Sequence, residues 1–147
     1  MQLLISNFEM ISGQLIEFLS GKGWWYESPS ADYQLALKKV DINEDSDFYY
    51  FFSHAEEGVE FSSRHGRLFQ IGWHLINTSY LEDSASLCKA LNLPDTWLSL
   101  DGFEGEGGFF YDKQSGGVSY FAFSKKRMEF AGFSEFLEYF FEIPYNH

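Results

Sequence analysis

Trp97-Leu-Ser-Leu100, Asp101-Gly-Phe-Glu-Gly-Glu-Gly-Gly108, Phe109-Phe-Tyr111, Asp112-Lys-Gln-Ser-Gly-Gly117 and Val118-Ser-Tyr-Phe-Ala-Phe123 run on without a break, and a second aromatic block, Phe133 to Phe141, follows. Their reading decides the fold. Trp97, Leu98 and Leu100 form a short apolar strand, the acidic glycine run a loop, and residues 109–123 a hairpin turning at 112–117. Phe133, Phe136, Leu137, Phe140 and Phe141 recur at i, i+3, i+4, i+7 and i+8, which lines one face of a closing helix. Aromatic strands and an aromatic helix face each need an apolar cover, so each is expected to cover the other.

Working outward, residues 82–91 read as a helix with Leu87, Cys88 and Leu91 on one side and Glu82 and Asp83 early, where acids suit the helix dipole. Asn92 and Pro94 end it. Residues 3–20 carry Leu4, Phe8, Ile11, Leu15, Phe18 and Leu19 at helical spacing, with Gly21 and Gly23 as stops. Phe48-Tyr-Tyr-Phe-Phe52 reads as a strand by aromatic enrichment, and 59–62 as a returning strand after a turn at 55–58. Residues 68–76 extend the meander. Residues 33–42 fit either element: Tyr33, Leu35 and Leu37 alternate, while Ala36, Leu37 and Val40 suit a helix, and strand is preferred. No repeat or linker divides residues 1–147. The expectation is one α+β domain, a mainly antiparallel sheet with N-terminal, middle and C-terminal helices packed on it.

The chain holds 22 acidic and 10 basic residues, a net charge of −12, and seventeen Phe, nine Tyr and four Trp. So negative a surface disfavours direct contact with nucleic acid or anionic membranes, where Lys and Arg supply the affinity. It favours a basic protein partner. So many large rings are not all expected inside, and Tyr and Trp at the surface are good contact residues. Three groups of acids are the candidate partner-binding residues: Asp101, Glu104 and Glu106; Glu44, Asp45 and Asp47; Glu56, Glu57 and Glu60. The single Cys88 excludes an internal disulfide. The N-terminus lacks the basic and apolar regions of a signal peptide, and no apolar run approaches a membrane span, so a cytoplasmic protein is expected.

Catalytic and metal chemistry find little support. The glycine loop lacks the Lys-Ser/Thr pair of a phosphate loop and carries three carboxylates that would repel phosphate. Its Asp-x-x-Glu-x-Glu order lacks calcium-hand spacing. His54, His65, His74 and His147 show no zinc pairing, and no Gly-x-Ser-x-Gly elbow occurs. No cofactor or metal is implied. Lys125-Lys-Arg127, the one basic cluster, reads as a solvated loop. Two alternatives stay open. One is a small-molecule or carbohydrate scaffold using Trp24, Trp25, Tyr26 and Trp73; the other is a hydrolase assembled from dispersed residues.

The C-terminal segment resembles the SUKH superfamily, which includes Smi/Knr-type regulators of fungal cell-wall synthesis and many bacterial toxin-immunity proteins. The matching residues are Trp97, Leu98 and Leu100; Gly102, Gly105, Gly107 and Gly108; Tyr111-Asp112; Gly117-Val118; and Phe133-Ser-Glu-Phe136-Leu137. Residues 1–30 lack the family's Leu-Pro, and Gly132-Phe133 stands where Ser-Phe is usual. The resemblance implies an α+β fold and a non-enzymatic role: binding and neutralising a cognate toxin, often a basic nuclease, or acting as another protein-interaction module.

Overall fold

The computed structural model describes residues 11–104 and 106–143. Chain order is α1 (Gly13–Gly21), α2 (Ala31–Lys39), α3 (Asp47–His54), β1 (Glu60–Ser63), β2 (Gly66–Phe69), α4 (Ile71–Asn77), α5 (Tyr80–Ala90), β3 (Leu98–Ser99), β4 (Gly107–Tyr111), β5 (Val118–Ala122), β6 (Lys125–Phe130) and α6 (Phe133–Phe141). β1 and β2 form a hairpin, and β3-β4-β5-β6 an antiparallel sheet in sequence order. The amide of Phe69 donates to the carbonyl of Leu100 at 2.8 Å and ties the end of the hairpin to the sheet. This is the expected α+β domain.

The C-terminal block folds as its spacing predicts. Phe133, Phe136, Leu137, Phe140 and Phe141 are all buried on α6. Their rings meet the sheet directly, with Phe136 at 4.9 Å from Phe109 and 5.8 Å from Phe130, and Phe133 at 5.7 Å from Tyr111. The opposite face belongs to α5, where Leu87, Cys88 and Leu91 join Phe110, Phe121 and Trp97 in a second apolar cluster. Covered on both faces, β4 buries Gly108 to Tyr111 without alternation. Ile11, Leu15 and Leu19 bury the inner side of the N-terminal helical pattern; Leu4 and Phe8 lie outside the described residues.

Three segments depart from the strands expected. Phe48-Tyr-Tyr-Phe-Phe52 is helical: α3 buries five of its eight residues, and Phe48 stacks on Tyr111 at 4.0 Å. Four of the five rings are buried and only Tyr50 is half-buried, so the five-residue run shows no period of its own and aromatic enrichment misreads it. The local signal is the cap: Ser46 Oγ accepts from the Tyr49 amide at 3.1 Å. Residues 31–39 are likewise helical, opened by Ser30 Oγ accepting from the Tyr33 amide at 3.2 Å. The segment expected as one strand over 68–76 stops at Phe69 and becomes α4. There Gln70, fully buried, accepts from the Trp73 amide and donates to the carbonyls of Phe52 and Ala55 at the end of α3. One side chain thus closes two helix ends. Lys125-Lys-Arg127 is not a loop either, but the start of the edge strand β6.

Candidate functional site

The acidic loop joins β3 to β4, and its core is a carboxylate turned inward. Asp101 Oδ1 accepts from the Phe109 amide at 3.1 Å and lies where a Cβ on Gly108 would sit. Burial pushes its pKa up to about 7, against the pull of the Phe109 N–H and the Arg67 guanidinium. Arg67 Nε donates to the Asp101 carbonyl at 3.1 Å, and its Nη1 stands 3.6 Å from Glu60 Oε1. Beneath, Ser99 Oγ donates to the Gly102 carbonyl, and Tyr80 Oη donates to the Ser99 carbonyl at 2.5 Å. The loop thus answers its own amide with its own carboxylate, in the place a phosphate-binding reading would reserve for a ligand.

What this frame leaves outside is an acidic, aromatic tip. Phe103 rests against Phe69 and Tyr80, at ring separations of 5.6 and 5.9 Å, yet is 38 % exposed. Glu104 and Glu106 are exposed on either side of Gly105. The Glu106 carbonyl accepts from the amide of Phe123, which brings in the β5–β6 turn. Phe123 is 67 % exposed, more than any other large apolar side chain among the described residues. It also has a φ of 59°. Ala122 pairs with Lys125, so Phe123 is the first residue of a two-residue hairpin loop, the position normally given to Gly, Asn or Asp. A bulky residue there is strained, and its ring gains almost no burial in return. Nothing in the sequence marks it, because Phe-Ser is not a turn signature.

The nine acids singled out from the sequence do not form one patch. Glu60 joins Asp101 and Glu104 around Arg67. Glu56 accepts a hydrogen bond from Tyr33 Oη, and burial together with that bond raises the Tyr33 phenol pKa; Glu57 is exposed nearby in sequence. Glu44 and Asp45 are exposed in the α2–α3 turn, where Asn43 Oδ1 accepts from the Asp45 amide. Asp47 accepts from the amide and hydroxyl of Ser134 at 2.9 and 2.8 Å. It supplies the cap that Gly132, without a side chain, does not give α6.

The aromatic residues Trp24, Trp25, Tyr26 and Trp73 do not converge. Trp24 packs on Phe18, Phe61 and Phe141, Trp25 stacks on His54 at 5.0 Å, Tyr26 is 53 % exposed, and Trp73 abuts His74. Among the described residues, no group of three or more His, Cys, Asp or Glu is arranged to hold a metal ion, and no helix is long and apolar enough to cross a membrane. Cys88 is buried, and that burial pushes its thiol up to about 11, away from the thiolate a nucleophile needs. Comparison with protein-family models, curated proteins and solved structures finds no match.

Proposed function

We propose that the chain is a non-catalytic binding protein that docks its acidic tip on a basic protein and blocks it, in the manner of an immunity protein acting on a nuclease-type toxin. The observation that carries this is Phe103 and Phe123 standing exposed beside Glu104 and Glu106 on a loop nailed down from below. Rings that exclude water supply affinity, and carboxylates around them steer encounter and reject wrong partners. A net charge of −12 strengthens the steering. The strain at Phe123 fits a residue kept for contact rather than for folding. In this reading the SUKH resemblance of the C-terminal segment reflects membership, and the family's partner-neutralising role carries over with it.

The test is to identify what the tip touches. Photo-crosslinking from positions 103 and 123 in the source cells should capture the same protein at both, and that protein should carry a net positive charge. Its association rate with the purified chain should fall at least about tenfold between about 0.01 and about 0.15 M salt. A neutral or acidic partner, or a rate indifferent to salt, overturns the proposal.

A further inference from the structure

A second surface differs from the tip in charge and shape. Phe109, Tyr120 and Met128 are cross-strand partners on β4, β5 and β6, in the register Phe109↔Tyr120↔Met128. With Tyr139 from α6 and His65 from the β1–β2 turn, they line a recess of about 430 Å³, and Arg127 completes it. The Phe109 and Tyr120 rings lie 4.8 Å apart, and His65 stacks on Tyr139 at 4.2 Å. That volume falls within the range of small-molecule sites.

Arg127 reaches this recess because of an irregularity. Tyr120 pairs with Met128 and Phe121 with Lys126, so Arg127 is an extra residue with no opposite number. In a regular strand Arg127 and Met128 would point to opposite faces. The bulge brings both to one recess, and re-aiming a side chain is what bulges beside sites do. Of the neighbouring carboxylates, Glu129 pairs with Lys126 at 3.3 Å, and Glu142, held by Arg64 at 2.5 Å, touches the recess wall only through His65 at 3.4 Å. Arg127 makes no ion pair among the described residues.

We propose that this recess binds a small planar aromatic monocarboxylate, its ring against Tyr120, Tyr139 and Met128 and its carboxylate on the Arg127 guanidinium. The rings and thioether select a flat apolar body. The guanidinium fork selects a carboxylate. A single negative charge is favoured over a phosphate or nucleotide, because repulsion from a body of net charge −12 grows with ligand charge. The site stands whether or not the acidic tip docks on a protein.

Titration of the full chain with phenylacetate, followed by NMR, tests it. Saturable shifts are expected at Tyr120, Met128 and Tyr139 with a Kd below about 1 mM. Phenethylamine, with the same ring and the opposite charge, should not saturate. Arg127→Gln should weaken phenylacetate about tenfold or more through loss of the charged fork. Lys125→Gln, at an exposed lysine of the same strand that makes no ion pair among the described residues and does not line the recess, should leave binding unchanged. Because Arg127 is exposed, its variant should melt as the parent does, which calorimetry checks. No saturation by about 10 mM, equal binding of phenethylamine, an unaffected Arg127→Gln variant or an equal loss in Lys125→Gln would each overturn the site.

Discussion

The two ends of the four-stranded sheet are built from the same materials and put them to different use. Where β4 runs out at Tyr111, Asp47 caps α6 through Ser134, Lys113 Nζ donates to the Val40 carbonyl at 3.0 Å, and Phe48 stacks on Tyr111. Charge and ring alike are spent on the fold. Where β4 begins at Gly107, Asp101 is spent in the same way, but Glu104, Glu106, Phe103 and Phe123 are left facing water. A tally of carboxylates therefore does not locate a site. What locates one is a carboxylate without structural work beside an aromatic ring that the fold leaves uncovered.

Breaking the open end should have the largest effect. Gly107 has a φ of 133°, and a Cβ there would run into the backbone carbonyl of Phe121 on the neighbouring strand. Gly107→Ala should cost about 3 kcal/mol or more, since both backbone angle and strand pairing resist it. Gly116 at the closed end also has a positive φ, 80°, but open space around it, so Gly116→Ala should cost only about 1 kcal/mol. Urea midpoints of the two variants measure the contrast. Equal losses would mean that the two turns constrain the sheet alike.

A second effect separates the two spent acids. The Asp101 carboxyl is raised by burial from 3.8 to about 7, so between those values the folded chain holds a proton that the unfolded chain has released. Its contribution to stability is therefore highest below about pH 4, falls through about pH 7 and is level above, a change of roughly 2–4 kcal/mol. Asp101→Asn keeps an oxygen for the Phe109 amide and should remove that decline, leaving the variant the more stable at pH 8. The difference between the two stability–pH curves is the measurement; parallel curves would show that Asp101 does not titrate in this window.

How much of this was legible in the sequence follows from which groups face solvent. α6 and α5 each have one wet and one dry side, so periodicity marks both helices and the buried face of α6, but on α5 it marks Leu87 and Cys88 and not the buried Tyr80 and Ser84. The β4–β5 hairpin was readable from Asp112 to Gly117, a run of turn formers. α3 is not, because its outer side is marked only by Asp47, Tyr50 and His54 and four of its five consecutive rings are buried, which leaves the capping serines Ser46 and Ser30 as the local signals for α3 and α2. Of the acids, exposure of Glu104 and Glu106 and the capping work of Asp47 depend on contacts 87 residues apart in the latter case, which no local pattern encodes. Phe103 and Phe123 differ from the buried rings only in what surrounds them.

The closed end gives a smaller prediction. Asp47→Ala should cost about 1 kcal/mol, the usual loss of a helix cap, because the start of α6 then loses the Asp47 carboxylate and keeps only the Glu135 side chain on the Gly132 amide. Glu44→Ala and Asp45→Ala, exposed in the preceding turn, should stay within about 0.5 kcal/mol of the parent. Thermal melts at pH 7 would separate them. A silent Asp47→Ala would return that residue to the pool of unspent charge and weaken the contrast between the ends.

The smallest effect on stability carries the most information about function. Phe123→Gly removes a side chain that is 67 % exposed and replaces a strained φ of 59° with one that glycine adopts freely. Relief of the strain outweighs the added chain entropy of glycine, so the variant should be more stable by about 0.5–1 kcal/mol. The same change takes away one of the two rings that the tip offers a partner, and complex formation should weaken by about tenfold or more, mainly through faster dissociation. Gain of stability with loss of binding is the signature of a residue held against the fold's interest. A loss of stability would make Phe123 a structural residue and the open end no different from the closed one.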